Sequence, residues 1–294
     1  MYYPNDLSNH AIRKDPNELH VWVMTDTHFK TEVDGKPKEQ NAVFKDKYFY
    51  KAHSHMRHFV DLVNEINAYQ PELVLHLGDI VDRYHSDFNQ FNDLWNAIDP
   101  NIRKERICGN HEFGENRKDK DLYRLFPEVQ TRKEIAGSKF NQSFVVDNGA
   151  VRLKVIMAET AYDKNGERAT GGPGYFKTEA FDWIDFELNE NRDTDLVLLA
   201  THHGPCLHFT DEQKLKLKQV IDSSCSSDPH LVIYDISGHN HPTSVQYQDD
   251  FFPNMPSYHL PAGVGFVGKY TVLTFNTRKE MDVAERILHY PYDW

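Results

Sequence analysis

The chain has few cysteines: Cys108, Cys206 and Cys225 in 294 residues, with no Cys-x-x-Cys pair. An odd number without that spacing argues against both a disulfide framework and a thiolate zinc knuckle, so the three read as reduced thiols. Long apolar runs are also missing. The longest, Leu196-Val197-Leu198-Leu199-Ala200, falls far short of the roughly 20 residues that span a bilayer, and the mean hydropathy is −0.68. Met1 to Asp6 lacks a basic region leading into an apolar stretch, so neither a secretory signal nor a membrane span is expected and the expected location is cytoplasmic.

Positive charge is in short supply as well. Lys and Arg total 33 against 45 Asp and Glu, a net charge of −12, which works against broad attraction to nucleic acid or to an anionic membrane. A phosphate-bearing ligand would therefore need local cations. No Pro/Gly/Ser linker, internal repeat or low-complexity segment divides the chain. A single domain over residues 1–294 is expected, with a β-rich segment from about 243 to 294 packed onto it. At this size folding buries about three quarters of the unfolded surface, so the core needs no staples.

Histidine is abundant: 17 residues, where ordinary usage would give roughly six or seven. Their positions follow from the element pattern. Leu19 to Thr25 reads as a strand. A helix with Met56, Phe59, Val60, Val63 and Ile66 at i, i+3, i+4 spacing follows and is stopped by Pro71. Leu73 to Leu77 reads as a strand, Phe88 to Ile98 as a helix and Arg106 to Cys108 as a short strand, an α/β rhythm. Phe144 to Val146 and Val151 to Met157 flank Asn148-Gly149, a hairpin signal. A helix from Thr178 to about Glu190, a strand at Leu196 to Ala200, a capping box at Thr210 to Gln213 opening a helix, and a strand at Leu231 to Ile236 come next. Strands near Thr243 to Tyr247, Tyr270 to Phe275 and Asp282 to Leu288 end the pattern. Three polar stretches, 30–47, 112–121 and 163–174, are long enough to be functional loops.

Five of these strands end in the same chemistry: Asp26-Thr27-His28, Gly78-Asp79, Gly109-Asn110-His111, His202-His203 and Gly238-His239-Asn240-His241. Any one could be a turn, since Gly and Asn tolerate left-handed backbone angles. Together they sit where an open α/β sheet places its ligand crevice. Asp26, His28, Asp79, Asn110, His202, His239 and His241 offer the mixed oxygen and nitrogen donors that divalent metals such as Mn, Fe, Zn or Co accept. Seven donors exceed what one ion needs if substrate must also bind, and two ions sharing a carboxylate account for the number.

The ordered series Asp-x-His, Gly-Asp-x-x-Asp-Arg, Gly-Asn-His-Glu, His-His and Gly-His-x-His, from Asp26 to His241, resembles the calcineurin-like metallophosphoesterase superfamily. The resemblance implies a four-layer α/β/β/α sandwich with a two-metal site at the C-terminal strand ends. One metal would be held by Asp26, His28 and His241, the second by Asn110, His202 and His239, with Asp79 bridging. His111 would stand beside the substrate phosphate, oriented by Asp82. Arg83 resembles the phosphate-binding arginine of the Ser/Thr phosphoprotein phosphatases, and a structural salt bridge is its other reading. His203 is either a substrate contact or a packed neighbour. Two cations sharing a water would bring its pKa toward neutrality, giving hydroxide for in-line attack on phosphorus, while His111 would stabilise the transition state or protonate the leaving oxygen.

Asp82 occupies the position where purple acid phosphatases carry a metal-binding tyrosine, which disfavours a tyrosinate–ferric site. Phe29 and Tyr84 replace glycines of the phosphoprotein phosphatases. Gly174-Tyr175-Phe176, the following helix and Leu196 to Pro205 are similar to the bacterial cyclic-nucleotide phosphodiesterase-like branch. The expected activity is hydrolysis of a small phosphodiester or phosphomonoester, nucleotides included. A protein phosphatase or nuclease on the same metals is the alternative, and an inactive interaction module ranks third. Oligomeric state is not legible in the sequence.

Overall fold

Two sheets meet at the centre of the molecule, and their composition follows from two runs of parallel strands. The structure, a computed structural model, describes residues 14–29, 32–33, 36–37, 52–81, 85–113, 122–169, 173–248, 251–261 and 269–288. The first half comprises β1 (Glu18–Met24), a small hairpin of β2 (Glu32–Val33) and β3 (Lys36–Pro37), α1 (Ala52–Tyr69), β4 (Leu73–His76), α2 (His85–Asn96) and β5 (Arg103–Arg106). A 3-10 turn at His111–Phe113 and α3 (Pro127–Gln130) lead to the hairpin β6 (Gln142–Asp147) and β7 (Arg152–Met157). Then come α4 (Thr178–Asn189), β8 (Leu196–Thr201), α5 (Pro205–His208), α6 (Asp211–Ser227) and β9 (Val232–Ser237). The chain continues with β10 (Gln246–Gln248), β11 (Ser257–His259), β12 (Lys269–Asn276) and β13 (Met281–Ile287).

One sheet runs β13-β12-β1-β4-β5 and the other β10-β11-β9-β8-β7-β6. β1, β4 and β5 are mutually parallel, as are β7, β8 and β9. Each set therefore delivers its C-terminal ends to one edge. β8 shows why the sheets stack: Leu196, Leu198 and Ala200 join the core shared with Val21, Val23, Val74 and Leu75. Its alternate residues Val197 and Leu199 pack with Phe181, Ile184 and Leu188 of α4 and Leu217 and Ile221 of α6. A strand buried on both faces reads as a continuous apolar run, and each fully buried Leu or Ile contributes roughly 1.5–3 kcal/mol. With α1 and α2 covering the first sheet through Phe59, Ile66, Phe88 and Phe91, the result is the expected four-layer α/β/β/α sandwich. Among the described residues no helix is long and apolar enough to cross a membrane.

Several sequence expectations shift. β5 occupies Arg103–Arg106 rather than Arg106 to Cys108, because its parallel register pairs Leu73 with Arg103 and His76 with Arg106. Its polar residues belong to the sheet's edge, and that composition hides a strand from a pattern search. Ile107 and Cys108 run on, buried, toward the site. On α1 the inward stripe is Phe59, Leu62, Val63 and Ile66, while Val60 is exposed; the side chain of Met56 lies outside the described residues. Lys154, a charged residue between the apolar Leu153 and Val155, is buried and pairs with Glu187 at 2.5 Å. The capping box forms by half. Thr210 accepts from the Gln213 backbone N–H, but the Gln213 side chain bridges the backbone of Phe176 instead. β11, absent from the sequence reading, extends the second sheet by pairing in parallel with β9.

Candidate metal centre

The turns that follow β1 and β4 are zipped together beyond the ladder. Asp26 N–H donates to Gly78 O at 2.9 Å, His28 N–H to Asp79 O at 2.9 Å and Phe29 N–H to Ile80 O at 2.7 Å. Asp26, His28, Asp79, His239 and His241 all adopt positive φ, at 50, 40, 51, 71 and 49°. Left-handed backbone at non-glycine residues costs free energy, and its clustering marks a segment held in place by its surroundings. Gly109 explains the close approach: a Cβ there would overlap Asp79 Oδ1 and His202 Nε2.

Two groups of donors converge. Asp26, His28, Asp79 and His241 bring one ligand atom each to within 4.8 Å of one another, and so do His202, His203 and His239. His28 Nε2 is 3.1 Å from His241 Nε2, and His241 Nε2 is 3.0 Å from Asp26 Oδ1. Asp79 faces both groups, its Oδ2 3.8 Å from His28 Nε2 and 3.3 Å from His202 Nε2. Asn110 Oδ1 lies 3.2 Å from His202 Nε2. His111 stands at the rim, partly exposed, its Nε2 4.0 Å from Asp79 Oδ2 and its ring edge-on to His28 at 4.5 Å. Its backbone N–H donates to Asp79 Oδ1 at 2.8 Å. Of the sequence candidates, Asp82 and Arg83 lie outside the described residues, as do Tyr84, most of loops 30–47 and 112–121, and residues 170–172 of the third loop.

The donor chemistry fits a divalent cation in each group. His202 Nδ1 lies 2.8 Å from Leu77 O, a carbonyl that can only accept, so Nδ1 carries the proton. Nε2 then presents a lone pair to two further acceptors, Asp79 and Asn110, an arrangement that repels unless a cation or a proton sits between them. Without a metal a proton is taken up. Burial works against the imidazolium, but Asp79 outweighs it and pushes the His202 pKa up to about 9. Conversely, burial pulls His28 and His239 down to about 3, leaving them neutral and ready to ligate. Burial opposes the Asp26 and Asp79 carboxylates, yet His241 and His202 respectively hold them well below the usual range. The ring nitrogens His239 Nδ1 and His203 Nε2 are buried with no hydrogen-bond partner among the described residues.

Three supports were not singled out from sequence. Glu112, fully buried, accepts from the backbone N–H groups of Asp79, Ile80, Val81 and Gly109 at 2.9, 2.7, 3.2 and 2.6 Å. One carboxylate thereby ties the turn after β4 to the turn after β5. Burial, with Asp79 nearby, raises its pKa to about 7. His76 accepts from Gly78 N–H through Nδ1, so its Nε2–H donates to Thr27 Oγ1, whose hydroxyl donates to Ile80 O. Glu159, after β7, accepts from Cys108, Ser138, Tyr162 and Arg168. Arg168 also lies 4.3 Å over the Phe113 ring, linking the third polar loop to the 3-10 turn that carries His111. The sequence signal for Glu112 was its place in Gly-Asn-His-Glu. For His76 and Glu159 the only signal was a polar residue in an apolar strand context.

Comparison with known proteins gives a consistent picture. Residues 19–243 match the family described as calcineurin-like phosphoesterase. Among solved structures, a dimetal phosphatase from Danio rerio superposes with a TM-score of 0.60 at 15% identity, covering 92% of this chain and 99% of that one. The sulfate thiohydrolase SoxB from Thermus thermophilus, solved with glycerol, gives 0.53 at 11% identity, covering 92% of this chain and 56% of that one. The protein TT1561, also from Thermus thermophilus, gives 0.50 at 8% identity, covering 90% of this chain and 98% of that one. At these identities the structural likeness speaks to the fold. A search of curated protein sequences finds no significant match.

Proposed function

Because the chain belongs to the calcineurin-like phosphoesterase family, and is therefore a metal-dependent phosphohydrolase, we propose that it binds two divalent cations and hydrolyses a small phosphoester, nucleotides included. In this reading Asp26, His28 and His241 hold one cation, Asn110, His202 and His239 the other, and Asp79 serves both. The observation that carries it is that Asp79 Oδ2 faces an imidazole of each donor group, at 3.8 and 3.3 Å. When bound, such cations lower the pKa of water and neutralise the non-bridging phosphoryl oxygens. Mn, Fe, Zn and Co all suit the mixed donor set.

The residues of the chain supply the rest. Asp79 is fixed on one oxygen by the His111 N–H, leaving the other free to face the cations. His111, at the rim and partly exposed, is the group able to reach a substrate phosphate, and its protonated Nε2 donates to the leaving oxygen. A positioned general acid contributes about 10²- to 10⁴-fold. Asp82 orients His111 and Arg83 binds a phosphate oxygen in the same reading, both on the strength of the sequence motif. The net charge of −12 favours small substrates over nucleic acid. Residues 1–294 act as one domain, a reading supported by β11, β12 and β13 completing both sheets.

The test is steady-state hydrolysis by metal-stripped protein reconstituted with Mn²⁺, comparing bis(p-nitrophenyl) phosphate with p-nitrophenyl phosphate. Metal-dependent turnover is expected, and preference for the diester supports the phosphodiesterase branch. Preference for the monoester redirects the search to phosphatase substrates. Two bound cations with turnover of neither ester, nor of any member of a nucleotide panel, would sink the proposal.

A further inference from the structure

His203 follows a proposed ligand at the end of β8 and is fully buried. Its backbone N–H donates to Thr160 Oγ1 at 2.9 Å, and its Nδ1 lies 3.2 Å from the same oxygen. Nε2, the other ring nitrogen, is buried and has no hydrogen-bond partner among the described residues. A histidine kept only for packing would find a partner for that nitrogen or give way to an apolar ring, because an unpaired buried polar atom is costly.

The surroundings hold this ring firmly in place. A Cβ on Gly174 would overlap the His203 Cβ, Cγ and Nδ1 atoms, so the chain there passes against the ring. The ring also lies 4.2 Å from that of His239 and 4.7 Å from that of His202. His239 Nδ1 is likewise buried and unpartnered, and one donor atom from each of His202, His203 and His239 falls within 4.8 Å of the others. His208 also abuts His239, at 4.7 Å, but stands outside that converging set.

We propose that His203 is a third imidazole ligand of the second cation, giving that site His202, His203, His239, Asn110 and Asp79. In the tautomer that donates the Nδ1 proton to Thr160 Oγ1, the Nε2 lone pair is left for the metal, the arrangement by which outer hydrogen bonds orient ligating histidines. A site with three imidazoles favours Zn²⁺ or Co²⁺ over Mn²⁺ more than the carboxylate-richer site of Asp26, His28, Asp79 and His241 does. The inference rests on the two-cation reading above.

The experiment is long-range ¹H–¹⁵N correlation of the histidine rings in the full-length wild-type protein, titrated with Zn²⁺, with bound metal counted by equilibrium dialysis. The second equivalent is expected to move His203 Nε2 into the metal-bound range together with nitrogens of His202 and His239. Two bound cations with His203 Nε2 unmoved would overturn this assignment alone. Fewer than two bound cations would overturn the two-cation reading and this one with it.

A variant separates ligation from packing. His203→Phe keeps the ring volume between Gly174 and His239 but removes both nitrogens. Chelator competition is expected to show second-cation affinity reduced by at least about 10- to 100-fold, with the first cation held as in wild type. Wild-type affinity for both cations in His203→Phe would overturn the assignment. Should that variant fail to fold, the ring-nitrogen shifts of the wild type still decide the matter.

Discussion

His202 Nε2 stands 3.3 Å from Asp79 Oδ2, two acceptors facing each other across a gap that only a proton or a cation can fill. In the metal-free protein His202 keeps a proton up to about pH 9, so a cation must displace it. Affinity for the second cation should therefore rise with pH, about tenfold per unit, and level off near pH 9. Calorimetric titration of metal-free protein in buffers of different ionisation enthalpy measures this directly. Flat affinity and no proton release between pH 6 and 8 would contradict it.

Asp79→Asn should abolish the pairing while keeping the side chain's shape. Loss of the shared charge is expected to leave at most one cation per chain after dialysis and to lower kcat by more than about 10²-fold, as removal of an electrostatic stabiliser does. Elemental analysis beside turnover is the check. Full occupancy with unchanged kcat would remove Asp79 from its proposed role.

His111→Ala isolates the general acid. The backbone N–H to Asp79 survives the substitution, so metal content should stay at the wild-type level while kcat falls about 10²- to 10⁴-fold. The fall should shrink for esters with good leaving groups, which need no proton. A uniform loss across leaving groups would assign His111 to phosphate binding instead.

Glu112→Gln tests the tie between the two turns. Its carboxylate accepts four backbone N–H groups, and an amide nitrogen would confront two of them. A loss of about 2–3 kcal/mol is expected from the unsatisfied donors. Chemical denaturation of the metal-free protein measures it, and wild-type stability would show the turns to be held by other contacts.

Asp235 is a carboxyl on β9, fully buried in the sheet. Ser257, opposite it on β11, moderates its pKa only in part, and burial raises it to about 7. A raised carboxyl pKa costs native stability wherever the group is ionised. The penalty is absent below the unfolded value of 3.8, grows between there and about 7, and is complete above. At about 1.4 kcal/mol per unit it reaches a few kcal/mol. Asp235→Asn should therefore raise the melting temperature at pH 8 more than at pH 5. Equal effects at both would assign the gain to something other than ionisation.

The sequence by itself determined where the chemistry lies along the chain. Asp26-x-His28 and His239-x-His241 are set by spacing within one turn, and strands such as Leu196 to Ala200 announce themselves by their apolar runs. Local patterns of this kind depend on neighbours a few residues away, so they are legible without a fold. The tertiary structure decided what long-range closure decides. It brought His28 and His241, 213 positions apart, to 3.1 Å and set the register that moved β5 to Arg103–Arg106. The same closure buried Lys154 against Glu187 and set the positive φ at Asp26, Asp79 and His239. It also gave Glu112 its four donors and packed the His203 ring 4.2 Å from that of His239. No residue's own propensity favours these last arrangements. They exist because two sheets, each stabilised by its own buried core, hold their strand ends together closely enough to offset the strain and the desolvation.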